Sequence, residues 1–236
     1  MNLILWDTKD VCDFLMLRSS FVLAVQLLPC VALVLLGWGF RDLPAFFLNS
    51  ARCGLMALVL TGAVAAVLLG LDLHPLRRGS TPVGTESAQL TILLLLSFSL
   101  LWFLPFADHR RILTFKEDYL RWVGLAFCCF GLGVRVLALK ALGRHFSAYV
   151  TLQPNHQLVR HGIYAWIRHP LYLSLLSLPT GIALVFDSFL ALPILLLAAM
   201  FVLDRIRKEE HLLADHFGAK FNDYKRRTRK LIPFVL

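Results

Sequence analysis

The eleven residues 162–172, GIYAWIRHPLY, place side chains that could bind an anion directly before an apolar run. The ring of Pro170 disfavours a helical conformation at His169, and Pro170 itself suits the first position of a helix. We therefore expect a polar loop that presents Arg168 and His169 and then enters a helix. A helix start offers unpaired N–H groups and a positive dipole end, which favour a carboxylate or a phosphate. The alternative interpretation is that both side chains only anchor this helix end at lipid head groups.

The two apolar runs that follow predict a helical hairpin. They cover residues 171–186 and 189–203, with only Asp187 and Ser188 between them, and each is short for a perpendicular span. A hairpin returns the chain to the level at which it started. Two polar segments that are distant in sequence should therefore meet, with Arg168, His169, His156 and Tyr164 opposite Arg205, Glu209 and Glu210.

This juxtaposition of cations and carboxylates could hold a zwitterionic cofactor and an anionic substrate at the same time. A water-soluble cofactor would enter from the aqueous side, and a lipid-like substrate would enter from the bilayer. The alternative for Glu209 and Glu210 is a solvated helix face with local basic partners, as most runs of charge are.

Composition requires a membrane protein, because 58 % of the 236 residues are hydrophobic and the mean hydropathy is +0.69. The predicted fold class is all-α: a polytopic integral membrane helical bundle of about six spans, the last two forming the short hairpin. We place a cofactor pocket between the loop before the hairpin and the C-terminal helix. Residues 1–121 are expected to form three spans with their connecting loops. Residues 122–236 are expected to form a C-terminal core that contains the cofactor-binding loop, the helical hairpin and a basic tail. The six apolar runs cover residues 21–40, 53–73, 90–107, 122–142, 171–186 and 189–203.

The basic residues predict the orientation of the bundle. The net charge is +9, and nine of the 24 Lys and Arg residues follow Leu203. By the positive-inside rule both termini, the long loop 143–169 and the pocket face the cytosol. A basic tail beside a bilayer favours anionic lipid over nucleic acid, for which no motif is present. The short chain favours a bacterial inner membrane over the endoplasmic reticulum.

Two further polar features leave alternatives open. Arg135 lies inside the fourth apolar run, where it either snorkels to the head groups or lines a head-group or substrate cavity. The loop 143–169 holds four of the eight histidines, but their spacing matches no helix-borne metal motif, so we predict no metal site.

Three blocks of sequence, taken in order, resemble the isoprenylcysteine carboxyl methyltransferase family. They read LGRHFSAYV, HQLVRHGIYAWIRHPLY and DRIRKEEHLLADHFGAKFNDYKRR, with IPF near the end, and the similarity covers about residues 123–236. The wider group includes phospholipid N-methyltransferases and membrane thiol S-methyltransferases. The resemblance implies S-adenosylmethionine as cofactor and a lipidic or prenylated acceptor, with an isoprenylcysteine carboxylate first among the candidates. It also implies partners in the bilayer, either a hydrophobic-tailed small molecule or a prenylated protein.

The resemblance also assigns roles by position. Arg205 corresponds to the arginine that faces the acceptor, and Arg168, Glu209 and Glu210 complete the implied catalytic set. Ser174 departs from the family, which often has Gly at that position. The implied cofactor contacts are Thr151, His156, Gln157, Leu158, Val159, Tyr164, His169, Pro170, Leu171, Tyr172 and Glu209.

The implied reaction is a direct in-line transfer in which alignment supplies much of the acceleration. A carboxylate acceptor is already ionised at neutral pH and needs no general base. An amine or a thiol acceptor must lose a proton, and Glu209, Glu210 or a histidine could then act as the base.

Two other functions compete with methyl transfer. Membrane sterol or isoprenoid reductases have a C-terminal region with a similar pattern and use NADPH, but they are usually longer. A non-catalytic membrane protein could also keep the pocket as a ligand-binding module. In that case, replacement of both Glu209 and His169 should be harmless to its function.

Overall fold

A computed structural model describes residues 28–68, 85–115, 117–143 and 158–231, and all of their regular structure is helical. Two isolated bridges, Thr114 with Ser188 and Ile167 with Arg229, are the β-type pairings among these residues. The helices are α1 (Leu28–Trp38), α2 (Leu43–Phe47), α3 (Ser50–Leu68), α4 (Thr85–Arg110), α5 (Asp118–Leu142), α6 (Pro170–Val185), α7 (Ala191–Phe217) and α8 (Ala219–Arg227), with 3-10 turns at Phe40–Asp42 and Gly162–Ala165.

Two described helices are long and apolar enough to cross a membrane, namely Thr91–Arg110 within α4 and Asp118–Leu142. A third is added if α1 and the segment Phe40–Phe47, bent by 86° at Gly39, count as one span. The apolar stretches Ser50–Ala65 and Pro170–Val185 are shorter. The structure therefore confirms an all-helical membrane architecture, while the expected six full spans exceed the helices that meet this length and composition.

Helices α5 and α6 pack with their backbones in close approach. A Cβ atom on Gly124 would lie 2.6 Å from the carbonyl oxygen of Gly181, and one on Gly181 would lie 2.6 Å from the carbonyl oxygen of Gly124. Only glycine at both positions permits this crossing. The contact fixes α6, and therefore the loop that precedes it, against α5, one of the two described helices that could cross a membrane.

The predicted hairpin is confirmed, and it is formed by α6 and α7. Pro170 is the first residue of α6, as its missing N–H predicts. The turn contains Asp187, which adopts a φ of +52°, a conformation that Asp tolerates better than most residues. Helix α7 then runs beyond the apolar stretch into the charged segment and ends at Gly218, whose φ of +52° suits a helix C-terminus.

A buried group of four charges joins the hairpin turn to the N-terminal helices. We call Arg52, Asp108, Arg121 and Asp187 the hairpin-turn cluster. Arg121 donates from both Nη atoms to the Asp108 carboxylate, at 2.8 and 2.7 Å, and also from Nη1 to the carbonyl of Val185 at 2.7 Å. Arg52 Nε donates to Asp108 Oδ2 at 3.0 Å, and Arg121 Nη2 lies 3.4 Å from Asp187 Oδ2.

The hairpin-turn cluster corrects one boundary of the sequence prediction. Residues 108–121 separate the apolar runs 90–107 and 122–142, but α4 continues to Arg110 and α5 begins at Asp118. Asp108 and Arg121 lie on helices and are 5 % and 7 % exposed. Burial is tolerated because the two side chains neutralise and hydrogen-bond each other.

Candidate functional site

The opposite end of α6 holds a second group of buried charges. A 3-10 turn, Gly162–Ala165, delivers the chain to Arg168 and His169, directly before the first turn of α6. The guanidinium of Arg168 and the ring of His169 are almost fully buried, unlike side chains that only anchor a helix at lipid head groups. At 1.5 Å per residue, α6 separates this end from the hairpin turn by about 24 Å.

The expected meeting of this loop with α7 is observed. We call Arg168, His169, Glu209, Glu210 and Lys225 the helix-entry cluster. Glu210 Oε1 accepts from Arg168 Nε at 2.9 Å and lies 3.4 Å from His169 Nε2, and Lys225 Nζ lies 3.0 Å from Glu210 Oε2. The hairpin thus brings together residues that are about forty positions apart, as the sequence predicts.

Glu210 is the centre of the helix-entry cluster. Its burial alone would raise the pKa of the carboxyl, but hydrogen bonds from His169, Lys225 and Arg168 outweigh burial and hold that pKa well below its usual range. Both of its carboxylate oxygens are engaged by basic side chains. A carboxylate this stable in its charged form is a poor general base.

Glu209 is adjacent in sequence but differently placed. Consecutive helical residues point about 100° apart. The Glu209 side chain remains 34 % exposed, with Oε2 3.8 Å from Nδ1 of His169. One ring therefore lies between two carboxylates, one buried and one accessible. Glu209 is the acidic side chain of this cluster that a soluble ligand can reach.

Arg205 and Tyr172 lie one turn deeper along the two helices. Arg205 is 4 % exposed, and its Nε atom lies 3.4 Å from the hydroxyl of Tyr172. Tyr172 in turn is in ring contact with His169, at 5.7 Å between centroids. The arrangement places a buried guanidinium beside the helix-entry cluster, one turn closer to the hairpin turn.

The remaining predicted residues divide into two groups. Tyr164 and Pro170 are buried, while Leu158, Val159 and Leu171 are half-buried around the same loop and helix start. Thr151, His156 and Gln157 lie outside the described residues. Among the described residues, no group of three or more His, Cys, Asp or Glu side chains could hold a metal ion.

Arg135 lies on the face of α5 that packs against α6. It follows Gly131 by one helical turn, and a Cβ atom on Gly131 would lie 3.1 Å from side-chain atoms of Ser177 and Leu178. Continuing this antiparallel packing by one turn brings Arg135 to the level of Ser174, close to the entry of α6. Arg135 is half-buried in the structure.

The C-terminal segment contributes contacts that the sequence did not indicate. The side-chain hydroxyl of Tyr224 donates to the carbonyl of Tyr164 at 2.7 Å, and burial raises the pKa of Tyr224 to about 12. Arg168 Nη1 donates to the carbonyl of Lys225 at 3.0 Å and to Thr228. The basic residues of this segment do not indicate these contacts. One signal in the sequence was the spacing of Phe221 and Tyr224, three positions apart among charged residues, and both side chains are buried.

The fold and these clusters define an all-helical membrane protein with a partly open charge cluster at one end of a helical hairpin. Residues 122–215 match the model of the isoprenylcysteine carboxyl methyltransferase (ICMT) family. This match confirms, for that region, the resemblance carried by the three sequence blocks.

Individual relatives agree with the family match. The chain is 34 % identical over 116 residues to the protein-S-isoprenylcysteine O-methyltransferase of Tribolium castaneum, covering 48 % of this chain and 41 % of that protein. It is 34 % identical over 116 residues to the enzyme of the same name from Saccharomyces cerevisiae, covering 48 % of each. The matched region thus spans less than half the length of these two relatives.

One solved structure extends the likeness to the whole chain. The structure of the eukaryotic intramembrane Ras methyltransferase ICMT aligns with a TM-score of 0.58 and 23 % identity, covering 100 % of this chain and 88 % of that chain. At this identity the comparison shows the fold. It supports an integral membrane architecture that includes the N-terminal helices.

Proposed function

We propose that this protein transfers a methyl group from S-adenosylmethionine to a carboxylate on a lipidic acceptor, with an S-isoprenylated cysteine as the first candidate. The observation that carries this proposal is the helix-entry cluster, in which His169 lies between a buried and an accessible carboxylate within the region that matches the ICMT family. The acceptor is either a small molecule or a prenylated protein.

The charges of the site fit this cofactor. When bound, S-adenosylmethionine supplies a methyl group that is activated by the positive charge on sulfur. The accessible carboxylate of Glu209 attracts the cationic part of such a ligand, and His169 beside it offers a ring nitrogen to a polar group. The start of α6, which Pro170 begins, provides N–H groups for a ligand carboxylate.

The acceptor requires a positive group and no base. Arg205, buried beside Tyr172, can hold and orient a carboxylate by paired hydrogen bonds. Arg135, on the α6-facing side of α5, adds a second guanidinium at a similar depth. Glu210 is committed to its basic partners, and therefore serves the site by positioning His169 and Arg168 rather than by removing a proton.

The setting in the membrane follows from the same placement. The helix-entry cluster joins a basic C-terminal region, so the positive-inside rule puts this end of the bundle and both termini in the cytosol. The bundle we propose has about six crossings, of which two or three described helices have the length and composition of a full span. The prenyl tail would reach the site from the bilayer, and the cofactor would reach it from water.

The test is methyl transfer by the detergent-purified protein from S-adenosylmethionine labelled in the methyl group. The acceptor is N-acetyl-S-farnesylcysteine, and its matched control is the same molecule with a carboxamide in place of the carboxylate. A methyl ester releases volatile methanol in base, whereas an N-methyl or thioether product does not. We expect base-labile label on the acid alone.

Separate reactions with phosphatidylethanolamine and with a long-chain thiol test the amine and thiol acceptors. Labelling of either in place of the farnesylated acid would overturn the carboxylate assignment but keep methyl transfer. Absence of transfer to all three acceptors, together with oxidation of NADPH in the presence of an unsaturated isoprenoid, would overturn the proposal.

A further inference from the structure

The segment before α6 is paired with the C-terminal end of the described chain. The backbone N–H of Arg229 donates to the carbonyl of Trp166 at 3.0 Å, that of Arg168 donates to the carbonyl of Arg229 at 2.8 Å, and that of His169 donates to the carbonyl of Lys230 at 3.0 Å. The first two bonds make the isolated parallel bridge between Ile167 and Arg229, and the third lies directly beside it. They fix the backbone of His169 from a segment that lies beyond the family match, which ends at residue 215.

Side-chain hydrogen bonds reinforce this pairing of the two segments. Arg168 spans the gap from Glu210 on α7, through Nε, to the carbonyls of Lys225 and Thr228, through Nη1. The hydroxyl of Thr228 accepts from Arg168 Nη1 at 3.3 Å and donates to the carbonyl of Tyr224 at 2.7 Å. Thr228 is only 5 % exposed, so these bonds are protected from water.

A second hydrogen-bonded link between the two segments lies one helical turn before Thr228. The hydroxyl of Tyr224 donates at 2.7 Å to the carbonyl of Tyr164, inside the 3-10 turn that precedes Arg168. Phe221 and Tyr224 form the buried face of α8. Arg226 and Arg227, which lie between Tyr224 and Thr228 in the sequence, are exposed. Helix α8 therefore holds the loop at Tyr164, and the residues that follow α8 hold it at residues 166–169.

We infer that Tyr224, Lys225, Thr228, Arg229 and Lys230, which we call the C-terminal clasp, are a positioning element of the cofactor site. The inference rests on the proposed function. The clasp holds the backbone of Arg168 and His169 so that the His169 ring stays between Glu210 and Glu209. Arg168 acts through this clasp and through Glu210, and is therefore a positioning residue rather than one that contacts cofactor or acceptor. Displacement of a site group by about 1 Å is enough to cost a large factor in rate.

The test compares cofactor and acceptor kinetics in variants that each remove one hydrogen-bonding hydroxyl of the clasp. Tyr224→Phe removes only the hydroxyl that reaches Tyr164, and Thr228→Val removes the hydroxyl while keeping the shape. Thr228→Ser retains the hydroxyl, and Arg227→Ala changes an exposed neighbour on α8. Measurements are the Kd for S-adenosylhomocysteine by calorimetry, the KM for each substrate, and hydrogen exchange at the His169 amide.

We expect Tyr224→Phe and Thr228→Val each to raise the Kd and the KM for the cofactor by about 3- to 10-fold, as the loss of a buried hydrogen bond predicts. The KM for the acceptor should remain within about twofold, and exchange at the His169 amide should become faster in Thr228→Val. Thr228→Ser and Arg227→Ala should behave as the unsubstituted protein. This split between the two substrates, with rescue by serine, distinguishes positioning from general destabilisation.

Two results would overturn the inference in distinguishable ways. If the unsubstituted protein binds S-adenosylhomocysteine and the two variants bind it equally tightly, or lose affinity for both substrates alike, the clasp does not position the cofactor site. If the unsubstituted protein does not bind S-adenosylhomocysteine, the proposed function fails and the inference fails with it.

Discussion

The two ends of α6 carry buried charge clusters that differ in their access to solvent. The hairpin-turn cluster contains two arginines and two aspartates, all at most 8 % exposed, and it joins α3, α4 and α5 to the turn. The helix-entry cluster also has a buried core, formed by Arg168, His169 and Glu210. It differs in having Glu209 on its accessible side, 34 % exposed.

This difference distinguishes a cluster that stabilises the fold from a cluster that can bind a ligand. A balanced and enclosed set of charges can hold helices in register, but a ligand cannot reach it without breaking it. A cluster with one accessible carboxylate can bind a ligand while its buried members hold the geometry. Buried charge by itself therefore does not identify a functional site in this bundle, whereas an opening in the cluster does.

The largest effect should come from the hairpin-turn cluster. Asp108→Asn removes the carboxylate that Arg52 and Arg121 share, and leaves two guanidinium groups with less compensation. We expect a loss of about 3–5 kcal/mol in the free energy of unfolding, the range for breaking a buried ion pair. Thermal unfolding in detergent measures the loss.

Asp118→Asn is the matched control, because Asp118 also lies near Arg121, at 3.7 Å, but is 94 % exposed. It should change stability by less than about 0.5 kcal/mol. Equal effects of the two substitutions would contradict the structural role of the enclosed cluster.

Glu210→Gln should have the next largest effect, because it removes the charge that Arg168, His169 and Lys225 share. We expect a loss of about 1.5–3 kcal/mol near neutral pH, as for hydrogen bonds to charged groups. The unfolded carboxyl titrates near pH 4.3, and the folded pKa lies well below that value.

The pH dependence of this variant follows from linkage. Below about pH 4.3 the unfolded state binds more protons than the folded state, so the stability that Glu210 contributes falls as the pH falls. The difference between the unsubstituted protein and Glu210→Gln should therefore be full above about pH 5 and shrink at lower pH. A difference that stays constant down to pH 3 would contradict the lowered pKa. Urea unfolding as a function of pH measures it.

Glu209→Gln should have the smallest effect on stability and a clear effect on binding. The side chain is partly exposed and 3.8 Å from His169, so its removal should cost less than about 1 kcal/mol of stability. We expect the Kd for S-adenosylhomocysteine to rise about tenfold, which corresponds to about 1.4 kcal/mol.

Asp215→Asn serves as the control for Glu209→Gln, since Asp215 lies on the exposed side of α7 and pairs with His211. It should leave the affinity unchanged. An unchanged affinity in Glu209→Gln would remove the distinction between the open and the enclosed cluster.

The sequence predicted the features that depend on local signals. Pro170 indicated the start of α6, and residues 187–188 indicated the hairpin turn. Hairpin geometry then predicted that Arg168 and His169 would meet residues 204–210. The three sequence blocks also indicated the family over the region that the comparison matches.

The rest depends on pairings between distant residues. Glu209 and Glu210 are chemically identical in sequence, and only their angular positions on α7 separate an accessible carboxylate from a buried one. Arg52 and Arg121 lie outside the predicted apolar runs, and nothing local in the sequence indicates that Asp108 and Asp187 neutralise them. The contacts of Thr228 and Tyr224 were missed because a basic run does not show which of its neighbours face inward.

The most direct test of the central claim, that the helix-entry cluster holds the methyl-donor cofactor, is calorimetric titration with S-adenosylhomocysteine, beside NADPH. The proteins are the unsubstituted chain, His169→Ala, Glu209→Gln and the folded fraction of Asp108→Asn. We predict that the unsubstituted protein and Asp108→Asn bind S-adenosylhomocysteine equally well, that Glu209→Gln binds it about tenfold more weakly, that His169→Ala loses binding, and that none binds NADPH. Binding of NADPH alone, or loss of affinity in Asp108→Asn as large as in Glu209→Gln, would contradict the claim.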